Sequence, residues 1–347
     1  MSTTDGLEGW LASLWAQRGP LAVLLLPLAV LFGLVSSIRR MLFRSGFLAS
    51  GRVAVPVVVV GNITVGGSGK TPLVIWLVEH LRARGYRPGV ISRGYGRSGD
   101  DIAEVRSDSR VEDVGDEPLL VARRGGCPVF VGRDRLAAAR ALLAAHPGCN
   151  LIVSDDGLQH FRLARDLEIV LFDSRGIGNG WLLPAGPLRE PVSRARLANL
   201  VIANGELPDE LRDQFIGTGQ FSMALVGARF VRVGGDQAVG ADKLRGRRIH
   251  AVAGIGNPQR FFAHLRALGL EFEPHGFADH HAYRARDLAF AGAEAILMTE
   301  KDAVKCEAFA DQVAAELWAL RVDARLDRDP LPLIEKLLEN NHGSASA

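Results

Sequence analysis

Residues 53–72 read VAVPVVVVGNITVGGSGKTP. The β-branched run ending at Val60 has the continuous apolarity of a strand buried on both faces, the pattern of a parallel sheet covered by helices. Gly61 breaks it. Thr64, Val65, Gly66, Gly67, Ser68, Gly69, Lys70 and Thr71 then form a glycine loop. Backbone N–H groups in such a loop approach phosphate oxygens, Lys70 brings a positive charge to the β and γ phosphates, and Thr71 offers its hydroxyl to Mg²⁺. A helix is expected over 72–84, with Pro72 near its first turn and Gly85 past its end. Strand, loop and helix come in the order a P-loop needs. One departure stands out: the first glycine of G-x-x-x-x-G-K-[ST] is Thr64 here, so the loop's opening turn differs from the commonest form.

Further along, residues 151–153 form a second apolar strand ending in Asp155 and Asp156. A parallel sheet delivers such strand ends beside the phosphate loop, where a carboxylate can serve Mg²⁺. Neighbouring side chains on an extended strand point to opposite faces, so one acid is expected to order metal-bound water and the other to brace the loop. Asp173, after the strand over 168–172, has the same placement. Between 53 and 205 apolar strands alternate with helical stretches such as 133–145, which predicts a parallel sheet with helices on both faces. Strand character returns over 222–233 and again over 248–253, followed by GIGNP, a helix over 259–268 and a strand over 293–299. GIGNP lacks the full dinucleotide fingerprint and reads as an ordinary strand-to-helix turn. The expected architecture is α/β: a P-loop core over 46–221, linker strands over 222–235, a second, smaller α/β domain over 236–335 and a disordered tail over 336–347.

An N-terminal membrane helix with a basic collar is expected ahead of these, over 1–45. Residues 19–38 carry no charge, and a helix of that length covers about 30 Å, the hydrocarbon thickness of a bilayer. Pro27 removes a backbone hydrogen bond inside the stretch, so spanning and lying in one leaflet are both open. Arg39, Arg40, Arg44 and Arg52 follow it, whereas the front flank has Arg18 beside Asp5 and Glu8. That bias places everything after residue 39 in the cytoplasm and favours anionic headgroups. A cleaved signal would need a basic front and a shorter apolar core. The composition excludes other classes: with 48% apolar residues, and 41 Lys+Arg against 39 Asp+Glu, neither a disordered chain nor a general nucleic-acid binder fits. Cys127, Cys149 and Cys306 are far apart and form no zinc or disulfide pattern, so they read as small reduced hydrophobes.

Four polar clusters remain. ISRGYGR (91–97) puts Arg93 at a strand end near the phosphates, and VGDEP (114–118) puts Asp116 and Glu117 before a helix. LLPAGPLREP (182–191) sets Arg189 beside Glu190, and FADHHAY (277–283) joins Asp279 to His280 and His281. Taken singly, each has an ordinary structural explanation. In this order along one chain, GNITVGGSGKTP, ISRGYGR, GDEP, SDDGLQH (154–160), PAGPLREP, DHH and MTEKDAVK (298–305) resemble the tetraacyldisaccharide 4′-kinase family of the lipid A pathway. The resemblance runs from the apolar segment to about residue 330, and the family's loop has the same threonine form at position 64.

The resemblance implies transfer of the γ-phosphoryl group of ATP, with Mg²⁺, to the 4′-hydroxyl of an acylated disaccharide 1-phosphate at the cytoplasmic face of the inner membrane, giving lipid IVA. Carried over residue by residue, nucleotide contacts fall on Lys70 and Thr71 within the loop from Thr64, and metal-binding acids on Asp155 and Asp156. The base falls on Asp116, tuned by a histidine of the DHH triplet; His280 is favoured and His281 stays open. Arg93, Glu117, Arg189, Glu190 and His281 are assigned to the acceptor. If Asp116 and His280 lie in different domains, their closure would assemble the site and exclude water. No nucleic acid and no obligate protein partner are expected. The rival reading is a membrane-associated P-loop ATPase or switch acting through a protein partner, since GGSGKT also resembles the loop of partitioning and metal-insertion ATPases. Those commonly carry a lysine where this chain has Val65, and they have no use for GPLREP or DHH.

Overall fold

Alternate residues of the valine run enter two different cores. In β1 (Val57–Gly61), Val58 and Val60 pack with Leu73, Leu77 and Leu81 on one face, and Val57 and Val59 pack with Ile63, Leu142 and Phe172 on the other. Both faces are therefore covered, as a fully apolar strand requires. β1 starts at Val57 and not at Val53, because Pro56 has no N–H to give a ladder. The computed structural model describes residue 11 and residues 13–343, and the architecture below is that of those residues.

β5 (Leu151–Asp155) and β6 (Leu167–Asp173) flank β1, both parallel to it. Beyond β5 come β2 (Pro88–Ser92), β4 (Val129–Val131) and the antiparallel edge strand β3 (Ala103–Val105). Beyond β6 come β7 (Leu200–Asn204) and β8 (Gly219–Arg232), both parallel. β8 carries the sheet onward: its far side pairs antiparallel with β13 (Glu316–Leu326), then follow β12 (Ala295–Thr299), β10 (Ile249–Ala253) and β11 (Glu273–Gly276), while β9 (Ala238–Gly240) pairs with β8. The second unit is thus not a separate sheet. Residues 222–235, expected as linker strands, lie mostly within β8, whose first residues pair with β7 and whose remainder pairs with β13.

The helices that matter to the site are α1 (Leu26–Arg44), α2 (Lys70–Ala83), α3 (Asp116–Gly125), α4 (Arg135–Ala145), α5 (Pro258–Ala267), α6 (Glu300–Cys306) and α7 (Leu331–Gly343). α7 corrects the expected tail. Leu331, Ile334 and Leu338 recur at helical spacing and enter the first core beside Leu73 and Leu77, so 336–343 is helix, and the chain returns to its first unit. Residues 344–347 of that tail lie outside the described residues. The apolar N-terminal segment breaks at Leu25 into one short turn, Pro20–Leu24, and α1, whose second position is Pro27. There the missing N–H is one of those a helix start leaves unpaired anyway. α1 is long and apolar enough to cross a membrane, with a mean hydropathy of 1.6 and only 11% of that window buried. Ala29 is buried and Gly33 lies against Leu182, whereas Leu28, Leu31, Leu34 and Val35 face outward.

Candidate active site

Gly69 ends the phosphate loop at φ +94°, and a Cβ there would stand 2.7 Å from Asn204 Nδ2 and 3.0 Å from Met223 Cε. Both conformation and space demand glycine. Immediately after it, the unpaired N–H groups of α2 open toward the loop. Lys70 Nζ lies 3.3 Å from Oδ1 of the buried Asn62 and 3.5 Å from Asp156 Oδ1. Asn204, closing β7, donates to the Ser68 carbonyl at 3.0 Å and accepts from Arg260 of α5 at 2.6 Å, so the second unit braces the loop. The 254–258 turn adds to this, since a Cβ on Gly256 would lie 3.5 Å from Gly67 N. On the other side, Val65 N–H donates to the Pro187 carbonyl at 2.9 Å and Arg189 N–H to Ile63 at 2.7 Å, so the proline-rich loop lines the same turn.

Asp155 and Asp156 diverge at the end of β5. Asp156 adopts φ +47° and pairs with Lys70 and, at 3.2 Å, with Arg189; burial opposes its charge, but those two cations hold its carboxyl below the usual range. Asp155 is buried with Oδ1 unpartnered, and burial followed by the negative charges of Glu117 and Asp156 pushes it up to about 7. Ser68 Oγ is likewise buried and unpartnered. The unpartnered Asp155 oxygen, the Asp156 carboxylate and the Thr71 hydroxyl are hard oxygen donors of the kind that suits Mg²⁺, and a cation at Asp155 would hold it ionised.

Gly115, at φ +91°, leads into α3, whose first residue is the buried Asp116. Asp116 Oδ1 accepts from Glu117 N–H at 2.8 Å, and Oδ2 accepts from His280 Nδ1 at 2.9 Å. His280 sits at φ +58° on the 277–283 loop after β11, with the Tyr95 ring 4.9 Å away. Burial alone would raise the Asp116 carboxyl; the His280 hydrogen bond and the charges of Lys301, His280 and Lys305 overcome it and bring it down to about 2. Burial alone would lower His280, and its bond and attraction to Asp116 raise it instead. α3 is laced to α6 and the residue after it, with Lys301 to Glu117 at 2.7 Å, Arg124 to Glu300 at 3.0 Å and Arg123 to Glu307 at 2.7 Å. Asp116 and His280 therefore meet across the two units.

The profile of a family described as Tetraacyldisaccharide-1-P 4′-kinase matches residues 21–341. A relative from Azoarcus sp. strain BH72, described as tetraacyldisaccharide 4′-kinase, is 52% identical over 352 residues and covers 100% of each chain. Another of the same description, from Dechloromonas aromatica strain RCB, is 54% identical over 95% of this chain and 98% of its own. The chain belongs to the tetraacyldisaccharide 4′-kinase family. Among solved structures, LpxK from Aquifex aeolicus, in complex with ATP, superimposes with a TM-score of 0.77 at 30% identity over 93% of this chain and 99% of that one.

Other positions that the tetraacyldisaccharide 4′-kinase resemblance singles out are distributed unevenly. Arg93 is exposed just past β2, and its charge, with that of Arg135, adds to burial in pushing His160 down to about 4. Glu117 is taken by Lys301. His281 turns into the second unit, 3.4 Å from Asp287 and packed on Phe277 and Tyr283. Glu190, 3% exposed, is held by Arg40 of α1 at 3.1 Å, by Arg194 at 3.6 Å and by Gln159 at 2.9 Å. It links the apolar helix to the proline-rich loop that lies against residues 63–65. Glu190→Ala should therefore lower stability by about 2 kcal/mol, because Arg194 and Arg40 lose a buried partner. Unchanged denaturation midpoints would contradict that role.

Several residues at the site give little sign in the sequence. Arg135 opens α4 like a solvent arginine, yet it is 2% exposed with Nε and Nη2 unpartnered, and burial brings it down to about 10 despite Asp155 and Asp156. Arg175, gripped by Asp173 at 3.0 Å, overlies Gly66. Arg260 comes from a helix more than 180 positions downstream of the loop it braces. Asn62 and Asn204, by contrast, are polar residues at strand ends, a readable signal. The Asp116–His280 bond makes a prediction by NMR: in Asp116→Asn the main raising partner is gone while burial, Lys301 and the weaker opposing pull of Asp279 remain, so His280 should titrate lower in the variant than in the native chain.

Proposed function

We propose that this chain transfers the γ-phosphoryl group of ATP to the 4′-hydroxyl of a tetraacyldisaccharide 1-phosphate, forming lipid IVA. The observation that carries the reading is the buried Asp116, hydrogen-bonded to His280 from the other unit, on a helix beside the phosphate loop. The loop and Lys70 hold the phosphates, and Thr71, Asp155 and Asp156 would hold Mg²⁺, whose charge would offset that of the transferring phosphates. Asp116 accepts the proton of the sugar hydroxyl. Each of its oxygens has one hydrogen-bond donor and a further lone pair, with Lys305 Nζ 3.9 Å from Oδ2. A low carboxyl pKa is tolerable because a loose phosphoryl-transfer transition state needs little proton removal until late. Arg93 and Arg189, on the loop side, orient acceptor phosphate and headgroup. Glu117 positions Lys301, while Glu190 and His281 support the site from behind.

The acceptor is a lipid, and α1 presents an apolar surface that suits one. Of the collar arginines, Arg40 and Arg52 are engaged with Glu190 and Asp166, whereas Arg39 and Arg44 are exposed for anionic headgroups. With the positive flank after the helix, the catalytic units lie on the cytoplasmic face of the inner membrane. The test is product identity: the detergent-solubilised chain, Mg-ATP and the disaccharide 1-phosphate should give a lipid with one additional phosphate, placed on the 4′ oxygen by ³¹P NMR. Recovery of unmodified lipid alongside consumed ATP would favour a partner-driven ATPase instead.

A further inference from the structure

At the outer edge of the sheet, away from the phosphate loop, β10 and β11 run parallel, with His250 opposite Glu273 and Val252 opposite His275. Positions 250, 273 and 275 therefore share one face of the sheet. His250 Nδ1 lies 2.9 Å from His275 Nε2 and 3.7 Å from a Glu273 oxygen, and one ligand atom from each of the three lies within 4.8 Å of the others. Phe290 stacks on both imidazoles, with centroids 4.5 and 4.1 Å away, and so holds the two ring planes.

We propose that His250, His275 and Glu273 bind a late divalent transition-metal ion, Zn²⁺ foremost, at a site separate from the Mg²⁺ of the phosphate loop. Two imidazole nitrogens and a carboxylate suit Zn²⁺, whereas Mg²⁺ prefers oxygen alone. In a tetrahedral site with bonds of about 2.0 Å, two ligating nitrogens stand about 3.3 Å apart, so the rings need to part by only a few tenths of an ångström. Without an ion, one ring must donate a hydrogen to the other; with an ion, both lone pairs face the metal and each ring keeps its proton on the far nitrogen. The Glu273 side chain is 67% exposed, free to close on the ion and to leave a fourth position to water.

The ion would clamp two strands that feed the active site. β10 runs directly into the 254–258 turn against Gly67, and β11 runs into the loop that carries His280. β11 is a four-residue edge strand paired with β10 alone among the described strands. The test is Zn²⁺ binding to the full chain in detergent, read by competition with a chromophoric chelator and by the visible spectrum of Co²⁺. The native chain should bind with a Kd of about 1 μM or tighter and gain about 3 °C in Tm at a hundredfold excess. His275→Ala and Glu273→Gln should each weaken binding at least about tenfold and remove the Tm gain. The exposed Glu273 keeps the second variant folded even if the first disturbs the Phe290 stack. Native binding weaker than about 100 μM, or a smaller loss in either variant, overturns the proposal and leaves the histidines as a hydrogen-bonded packing pair.

Discussion

Asp116→Asn should lower kcat by about 10³-fold while leaving Mg-ATP binding within a few-fold of the native chain. Asparagine preserves shape and can still meet His280, but its amide accepts no proton. Loss of the acceptor function alone should then appear in kcat, as the label-transfer rate at saturating substrates. The same pair makes the rate depend on pH. While His280 is protonated, its bond and charge hold Asp116 near 2 and make it a weak base. As pH rises through the raised pKa of His280, the charge leaves and Asp116 becomes more basic, so kcat should climb above pH 6.5. In His280→Gln that climb should vanish. A profile that is flat in the native chain, or that still climbs in His280→Gln, would show that the pair does not govern the acceptor proton. The stability of the pair follows its own window. Asp116 contributes stability above its unfolded value near 3.8, lost as pH falls toward about 2; His280 contributes below its unfolded value of 6.5, lost as pH rises through its folded value.

Lys70→Ala should cost about 10³-fold in kcat/KM for ATP, with losses in both nucleotide binding and kcat. Its ammonium is enclosed, with only 11% of the side chain exposed, and is aimed by Asn62 and Asp156. A charge held that way needs no rearrangement when negative charge develops on the transferred group. Its loss also reaches Asp155. Lys70 is the largest of the charges opposing the rise of that carboxyl to about 7, so in the variant Asp155 should rise further and be protonated at neutral pH. The Mg²⁺ concentration needed for half-maximal activity should therefore increase, and more so at pH 7 than at pH 8.5. Lys70→Arg should recover little, since a planar guanidinium does not fit a position built for a compact ammonium. An unchanged Mg²⁺ requirement in Lys70→Ala would separate Asp155 from the metal.

The valine run and the glycine loop made the strand, turn and helix around Lys70 legible because both signals are local: a doubly buried strand, then a glycine turn that opens a helix. The apolar segment was equally plain, and Pro27 explained where it breaks. What local signals could not show was continuity. β8 reads as a linker because its exposed and buried positions mix, yet its two ends pair with different partners and join both units into one sheet. α7 was hidden by its polar end, although Leu331, Ile334 and Leu338 have helical spacing. At the site, the DHH triplet favoured His280 and left His281 open; the structure sets His280, with its left-handed backbone, against Asp116 and His281 against Asp287. Arg135 and Arg260 illustrate the remainder, since burial of an arginine is a property of what packs over it.

The fate of the γ-phosphoryl group in a single turnover separates a lipid kinase from an ATPase. With the chain in excess over γ-labelled Mg-ATP, addition of the disaccharide 1-phosphate in mixed micelles should move the label to the 4′ oxygen in one exponential phase. Without lipid, label should stay on ATP over the same period. Release of labelled inorganic phosphate at the same rate with and without the lipid would contradict the account.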